Sequence, residues 1–300
     1  MYCSRLGCSS IVCDNRYLDR PRRGRIPLEV NDNTIKQETI RQIQITQYYI
    51  LKEFADFCDK HKIEYTLDFG TLLGAVRHNG FIPWDDDIDV SLVRSEYDRF
   101  LEVSKGWNHE DLFVQNYHTD PQFIHSFTRL RLNGTLAVQE EWKNLKAHHG
   151  IFIDIFTYDA IAGDEVECQI HADEIRRIQE EKMHYVTSNT VNDINLSVLN
   201  RLQTNIMTRF NDNMTKDTLV AHMTQGLDSY YSSHRKVSDF TEVKEVDFEK
   251  SKFPIPLNFD LILSNLYGTY NDYPSLKLQE PHHGVIQLKF RQDILDQFNH

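Results

Sequence analysis

The run PWDDDIDV, residues 83–90, sets Asp85, Asp86, Asp87 and Asp89 within five consecutive positions between apolar neighbours. In an extended strand alternate side chains share a face, so Asp85, Asp87 and Asp89 can project together while Asp86, Ile88 and Val90 point the other way. Two like charges about 4 Å apart repel by about 4 kcal/mol at an effective dielectric of about 20, so convergent carboxylates call for bound cations or shifted pKa values. Mg²⁺ or Mn²⁺ on oxygen ligands supplies that compensation. A solvated acidic turn is the plainer reading of any charge run. A calcium loop is a third: counted from Asp85, carboxylates fall at its first, third and fifth places and Glu96 at its twelfth, but Val90 stands where such a loop needs glycine.

Upstream, Gly70-Thr71 lies at an expected strand-to-helix junction. The first turn of a helix carries unpaired N–H groups and a positive dipole end; Gly70 allows close backbone approach, and the Thr71 hydroxyl can cap the helix or bond a phosphate oxygen. That pattern suits a diphosphate, although a capped helix needs no ligand. Arg77 and His78 follow one or two turns on as candidate phosphate contacts, and Arg129 and Arg131 could add a basic wall; surface ion pairs account for all four equally well.

The elements that must hold these residues can be outlined. Residues 33–60 repeat Ile40, Ile43, Tyr48, Ile50, Leu51, Phe54 and Phe57 near helical spacing, which predicts a long amphipathic helix. Residues 63–70 alternate like a strand, 71–80 read as a short helix closed by Asn79-Gly80, and 88–93 read as a second strand. Residues 95–104 read as a helix capped by Ser95, and the β-branched and aromatic stretch 150–159, which contains Asp154, reads as a strong strand. Beyond Gly163 polar helical stretches run to about residue 235, before mixed structure returns. The expected fold is α+β: a flexible extension over 1–30, a core of mixed sheet and helices over 31–162, and a mainly helical lobe over 163–300 packing on it.

Three hundred residues with 40% hydrophobic and 11% aromatic content can build a substantial core. A net charge of −12 opposes nonspecific binding to nucleic acid, so no such partner is expected, and a phosphate-bearing ligand must meet metal ions or a local basic cluster. No stretch reaches the roughly 20 apolar residues of a membrane span and no apolar signal-peptide core opens the chain, so a cytoplasmic location is expected. The five cysteines match no common zinc spacing and read as reduced thiols; the trio Cys3, Cys8 and Cys13 lacks a further ligand pair.

Residues 67–90, LDFGTLLGAVRHNGFIPWDDDIDV, followed by HHGIFIDIF at 148–156, resemble the LicD family, part of the nucleotidyltransferase-fold superfamily and related to the fukutin-related proteins. The resemblance covers roughly residues 35–160, and LYGTYNDYP at 266–274 resembles a weaker C-terminal motif of the family. It implies a nucleotidyltransferase-like core and transfer of phosphocholine, or a related phospho-alcohol, from CDP-choline or another CDP derivative to a hydroxyl of a cell-surface or lipid-linked glycan, with Mg²⁺ or Mn²⁺ as cofactor. Reaching a lipid-linked acceptor would bring the protein to the inner face of a membrane as a peripheral contact. By the same resemblance Asp87, Asp89 and Asp154 are the metal ligands and Asp85 matches a recurrent family aspartate. Thr157-Tyr158 departs from the Pro-Leu common after IDIF, which leaves the metal row intact and touches only nearby substrate contacts.

A choline site needs aromatic faces, because a quaternary ammonium donates no hydrogen bond. Trp84, Tyr65, Phe69, Trp142 and Tyr158 are candidates by closeness to the motifs, although aromatics in strands usually belong to the core. The pairs His148-His149 and His282-His283 invite a zinc reading, but adjacent histidines in a strand face opposite sides; an acceptor or phosphate contact is the alternative. Two other functions use the same residues: a nucleotidyltransferase acting on a small molecule, and a noncatalytic binding module with the same fold.

Overall fold

The computed structural model of this protein describes residues 33–188, 190–224 and 227–298. The extension over 1–30, with Cys3, Cys8, Cys13 and the basic run from Arg20 to Arg25, lies outside the described residues. Helix α1 (Asn33–His61) turns Ile50, Leu51, Phe54 and Phe57 into the main core at helical spacing. Its Gln44 and Gln47 are buried as well, and their role emerges at the site.

Strands β1 (Thr66–Leu67), β2 (Asp89–Val93), β3 (Leu112–Gln115), β4 (Thr128–Leu132) and β6 (Phe152–Ala160) form the path β1-β2-β6-β4-β3 of a seven-stranded sheet. Strand β2 runs parallel to β6, whereas β4 runs antiparallel to it. Both sides of β6 are covered along all nine residues, so Asp154, Thr157 and Asp159 are buried among its apolar and aromatic residues. Helix α2 (Phe69–His78) and helix α3 (Arg94–Ser104) flank β2, and β5 (Leu136–Gln139) lies between β4 and β6 in the chain.

Two local expectations change. The strand predicted over 63–70 shrinks to β1, because the chain turns sharply into α2 at Phe69, whose φ of 43° is rare for a side chain of that size. Ser95 does not cap α3: the helix begins at Arg94, and the capping position, Val93, makes no side-chain bond. Arg94 is drawn inward by a two-pronged bond to Asp159, both contacts 2.7 Å, and this sets the helix start one residue early.

After residue 163, α4 (Glu165–Thr187) and α5 (Asp193–Met207) pack on each other. The polar stretch that follows also holds strands: β7 (Leu219–His222) pairs with the end of β6, and β8 (Arg235–Lys236) pairs with β7, after the short α6 (Leu227–Ser232). Strand β7 buries three of its four residues, too short a run to stand out in sequence. A hairpin of β9 (Val243–Phe248) and β10 (Ser251–Pro256) adds Phe248, Phe253 and Ile255 to the main core. Helix α7 (Phe259–Tyr267), strand β11 (Val285–Lys289), paired with β5, and α8 (Gln292–Phe298), packed on α1, complete the fold. Among the described residues no helix is long and apolar enough to cross a membrane.

Candidate active site

The acidic run is not a solvated turn. Asp85, Asp86, Asp89 and Asp154 are buried at 7%, 5%, 7% and 3% exposure, and the Asp87 side chain keeps only 20%. Nor does it form one strand row, because β2 starts at Asp89 and residues 85–88 precede the sheet. Helix α1 holds them instead: Gln44 Nε2 donates to the Asp85 carbonyl at 3.0 Å and Gln47 Nε2 to that of Asp86 at 2.8 Å. The calcium loop fails too, since Val90 is buried in β2 and Glu96 lies in the first turn of α3, where it accepts from the Glu64 N–H.

The sheet and the start of α2 meet at this cluster. Asp89 and Asp154 are register partners on the parallel pair β2 and β6. The Asp89 N–H donates to Thr71 Oγ1 at 2.8 Å. A Cβ on Gly70 would lie 2.7 Å from Asp85 Oδ2, so the approach of α2 to the carboxylates requires glycine there. The capping residue is Asp68 rather than Gly70 or Thr71, which fall inside the first turn. Asp68 is fully buried and accepts from Phe69 N at 2.9 Å, Ser91 Oγ at 2.6 Å, Tyr158 Oη at 2.7 Å and Arg235 Nη2 at 2.8 Å. This network ties the strained turn at Phe69 to β2, β6 and β8.

Burial raises the Asp85 pKa well above the usual carboxylate range, and the neighbouring charges of Asp87 and Asp86 add to it. Burial also lifts Asp89 strongly, reinforced by Asp87, Asp154 and Asp85. Asp87 rises by burial with Asp86 and Asp154 adding, while His283 opposes. Asp86 behaves differently: burial would raise it, but His283 and the backbone N–H of His282 hold it below the ordinary value. Asp86 accepts from the backbone N–H groups of His282 and His283 at 3.0 and 3.3 Å and lies 3.2 Å from His283 Nδ1. The His283 Nε2 then sits 3.7 Å from Asp87 Oδ2. Burial works against the imidazolium, but the Asp86 and Asp87 charges lift the His283 pKa to about 9.

Asp154 is engaged by Arg129, with Nε at 2.7 Å and Nη2 at 3.4 Å, and Arg129 also donates to Gln139. Arg131 donates to two neutral acceptors, Gln115 Oε1 and the Gly150 carbonyl, and its pKa is pulled down by burial and then by Arg129. Arg77 and His78 lie at the far end of α2 from Gly70. Arg77 donates to the carbonyls of Tyr270 and Asp272 and, through Nε, to His78 Nε2. Of the five aromatic candidates, Tyr65 and Tyr158 are buried, Phe69 packs on Phe156 and His222, Trp142 on His125, and Trp84 beside Tyr273.

Among the described residues no group of three or more Asp, Glu, His and Cys side chains is arranged so as to hold a metal ion. The donor chemistry is nevertheless that of a hard divalent cation: Asp87, Asp89 and Asp154 offer oxygen ligands only, and burial together with neighbouring charges raises the proton affinity of Asp87 and Asp89. The sequence points Asp86 away from the row and offers the His282-His283 pair zinc or an acceptor or phosphate contact; the bond of His283 to Asp86 is a tertiary contact that no local pattern announces.

Residues 62–184 match the family model described as LicD/FKTN/FKRP, nucleotidyltransferase domain. Over 263 residues the chain is 28% identical to the lipopolysaccharide cholinephosphotransferase LicD of Haemophilus influenzae, covering 83% of this chain and 97% of that one. A shorter match, 33% identity over 75 residues, joins 25% of the chain to 24% of an uncharacterized protein of Rickettsia typhi. A similar one, 35% over 69 residues, joins 21% to 26% of an uncharacterized protein of Rickettsia prowazekii. The family model spans β1, α2, the acidic run, β2, β4 and β6, which together hold the aspartates of the cluster, and the Haemophilus protein is matched along nearly its whole length; over these elements the chain is similar to the LicD family.

Proposed function

We propose that this protein transfers phosphocholine, or a closely related phospho-alcohol, from a CDP-activated donor to a hydroxyl of a cell-surface or lipid-linked glycan, releasing CMP. The observation that carries the reading is the buried carboxylate cluster pressed against the first turn of α2. The name of the Haemophilus relative, a lipopolysaccharide cholinephosphotransferase, supplies the choline and the glycan.

Asp87, Asp89 and Asp154 would hold Mg²⁺ or Mn²⁺. When bound, the metal would neutralise charge on the diphosphate and stabilise the leaving CMP. The Thr71 hydroxyl, which accepts from Asp89 N–H, keeps its own proton to donate to a phosphate oxygen, and the Gly70 N–H points from the positive end of α2. Both Asp154 oxygens accept from Arg129, whereas Asp85 makes no ion pair among the described residues. Asp85 is therefore the carboxylate we assign to take the proton of the attacking hydroxyl as the phosphorus–oxygen bond to CMP breaks.

Incubation with CDP-choline, CDP-glycerol, CDP-ribitol and nucleoside triphosphates, each with Mg²⁺ and with EDTA, tests the reading. Metal-dependent CMP release from a CDP-alcohol is the expected result. Pyrophosphate release from a triphosphate, with no CMP from any CDP-alcohol, would instead favour a nucleotidyltransferase, the reading that the wording of the matched family model keeps open.

A further inference from the structure

The aromatic side chains near the motifs differ in what surrounds them. Tyr65 and Tyr158 are 6% and 1% exposed, closed off from any ligand. Trp142 lines a small cavity together with Arg129 and Arg131, where two guanidinium groups oppose the entry of another cation. Trp84 is half-buried, one residue before Asp85, and its ring centroid lies 6.3 Å from that of Tyr273 at an interplanar angle of 57°. Tyr273 is 59% exposed and sits in the stretch YNDYP.

Tyr273 is held in place from α2. The Arg77 guanidinium lies 4.6 Å from the Tyr273 ring centroid while its Nη1 donates to the Tyr270 carbonyl at 3.0 Å and the Asp272 carbonyl at 3.4 Å. The His78 ring adds an edge contact to Tyr273 at 5.8 Å. The last turn of α2 thus clamps residues 270–273 beside the turn that carries Trp84 and begins the acidic run.

We propose that Trp84 and Tyr273 form the two walls of a quaternary-ammonium subsite that selects a cationic alcohol over neutral ones, with Arg77 as the residue that positions Tyr273. This rests on the CDP-alcohol reading above. Two rings inclined at 57° with centroids 6.3 Å apart make an open V, and a cation in its mouth can lie about 5 Å from both, inside the roughly 6 Å range of cation–π attraction. A trimethylammonium group donates no hydrogen bond, so ring faces replace its water without leaving a donor unpaired. Trp84 immediately precedes the acidic run of Asp85, Asp87 and Asp89, whereas Arg129 and Arg131 line the cavity at Trp142.

The test is donor preference and direct binding in full-length Trp84→Leu, Tyr273→Leu and Tyr273→Phe. Tyr273 is exposed, so its variants fold whatever its role. The expected result is a fall of about tenfold in the ratio of kcat/KM for CDP-choline to that for CDP-glycerol in both leucine variants, borne by KM, with Tyr273→Phe close to the parent. Calorimetric titration with phosphocholine, which needs no turnover, should show the same loss of affinity in the leucine variants. An unchanged donor ratio together with unchanged phosphocholine affinity in Tyr273→Leu overturns the subsite. If the parent releases no CMP from any CDP-alcohol, the proposed reaction fails, and the titration alone then decides the subsite: weakening in Tyr273→Leu upholds it, and no binding by the parent removes it.

Discussion

At the scale of single residues, four aspartates in five positions take three roles. Asp87 and Asp89, the proposed metal ligands, have raised proton affinity, Asp85 faces the backbone of Gly70, and Asp86 is neutralised by the histidine pair. In the proposed reaction, Asp87→Asn or Asp89→Asn lowers turnover by at least about a hundredfold, because a metal ligand is lost. Mg²⁺ should raise the melting temperature of the parent protein and not of either variant, which a thermal scan reads without substrate. His283 yields a pH prediction. Its folded pKa of about 9 stands above the ordinary 6.5, so its stabilising contribution is complete below about pH 6.5 and lost as pH rises to about 9. The raised carboxylates bend stability in the same direction, so the difference from His283→Asn isolates the imidazole: the parent should lose more Tm between pH 7 and 9 than the variant. The types and spacing of the aspartates were legible in the sequence. Their division was not, because alternation in an ideal strand sends Asp85 and Asp87 to one face, whereas Gln44 and Gln47 hold that stretch outside the sheet.

At the scale of elements, the site depends on how α2 leaves β1. The helix and the strands β2 and β6 were readable from periodicity, β-branched content and the Asn79-Gly80 stop. The two-residue β1 and the left-handed Phe69 were not, because the cause is the buried Asp68 network, whose partners Ser91, Tyr158 and Arg235 are far apart in sequence. Tyr158 is also where the chain departs from the Pro-Leu of the family, and here its hydroxyl donates to Asp68. Asp68→Asn weakens a buried ion pair that is 0% and 1% exposed, and a loss of about 2–3 kcal/mol is expected in denaturant unfolding. Amide exchange at residues 69–72 should quicken more than in the core of β6, marking the loss as local to the turn. Gly70→Ala should separate function from stability at the same place. Its Cβ must displace the Asp85 carboxylate, so turnover should fall by about tenfold or more while unfolding changes by about 1 kcal/mol or less.

At the scale of the whole molecule, the acidic site joins chain segments that no local pattern connects. Its floor comes from β2, β4 and β6, its backbone supports from α1, and one wall from residues 282–283, which reach it because β11 pairs with β5 and because α8 buries Ile294 in the main core. The composition foretold a net negative charge and a substantial core, yet it carried no sign that the C-terminal segment closes on residue 86. Asp86 is the joint, because one carboxylate satisfies two backbone N–H groups and an imidazole. Asp86→Asn keeps the shape but presents an amide NH₂ to those donors, so at least one of the three bonds must be lost. Hydrogen exchange over residues 280–289 should then rise clearly, and turnover in the proposed reaction should fall with it. Asp87→Asn, one residue away, should lower turnover while leaving exchange over 280–289 unchanged. Equal exchange in both variants would show that the C-terminal segment is held by β11 and α8 alone, with Asp86 no more than a neighbour of the acidic row.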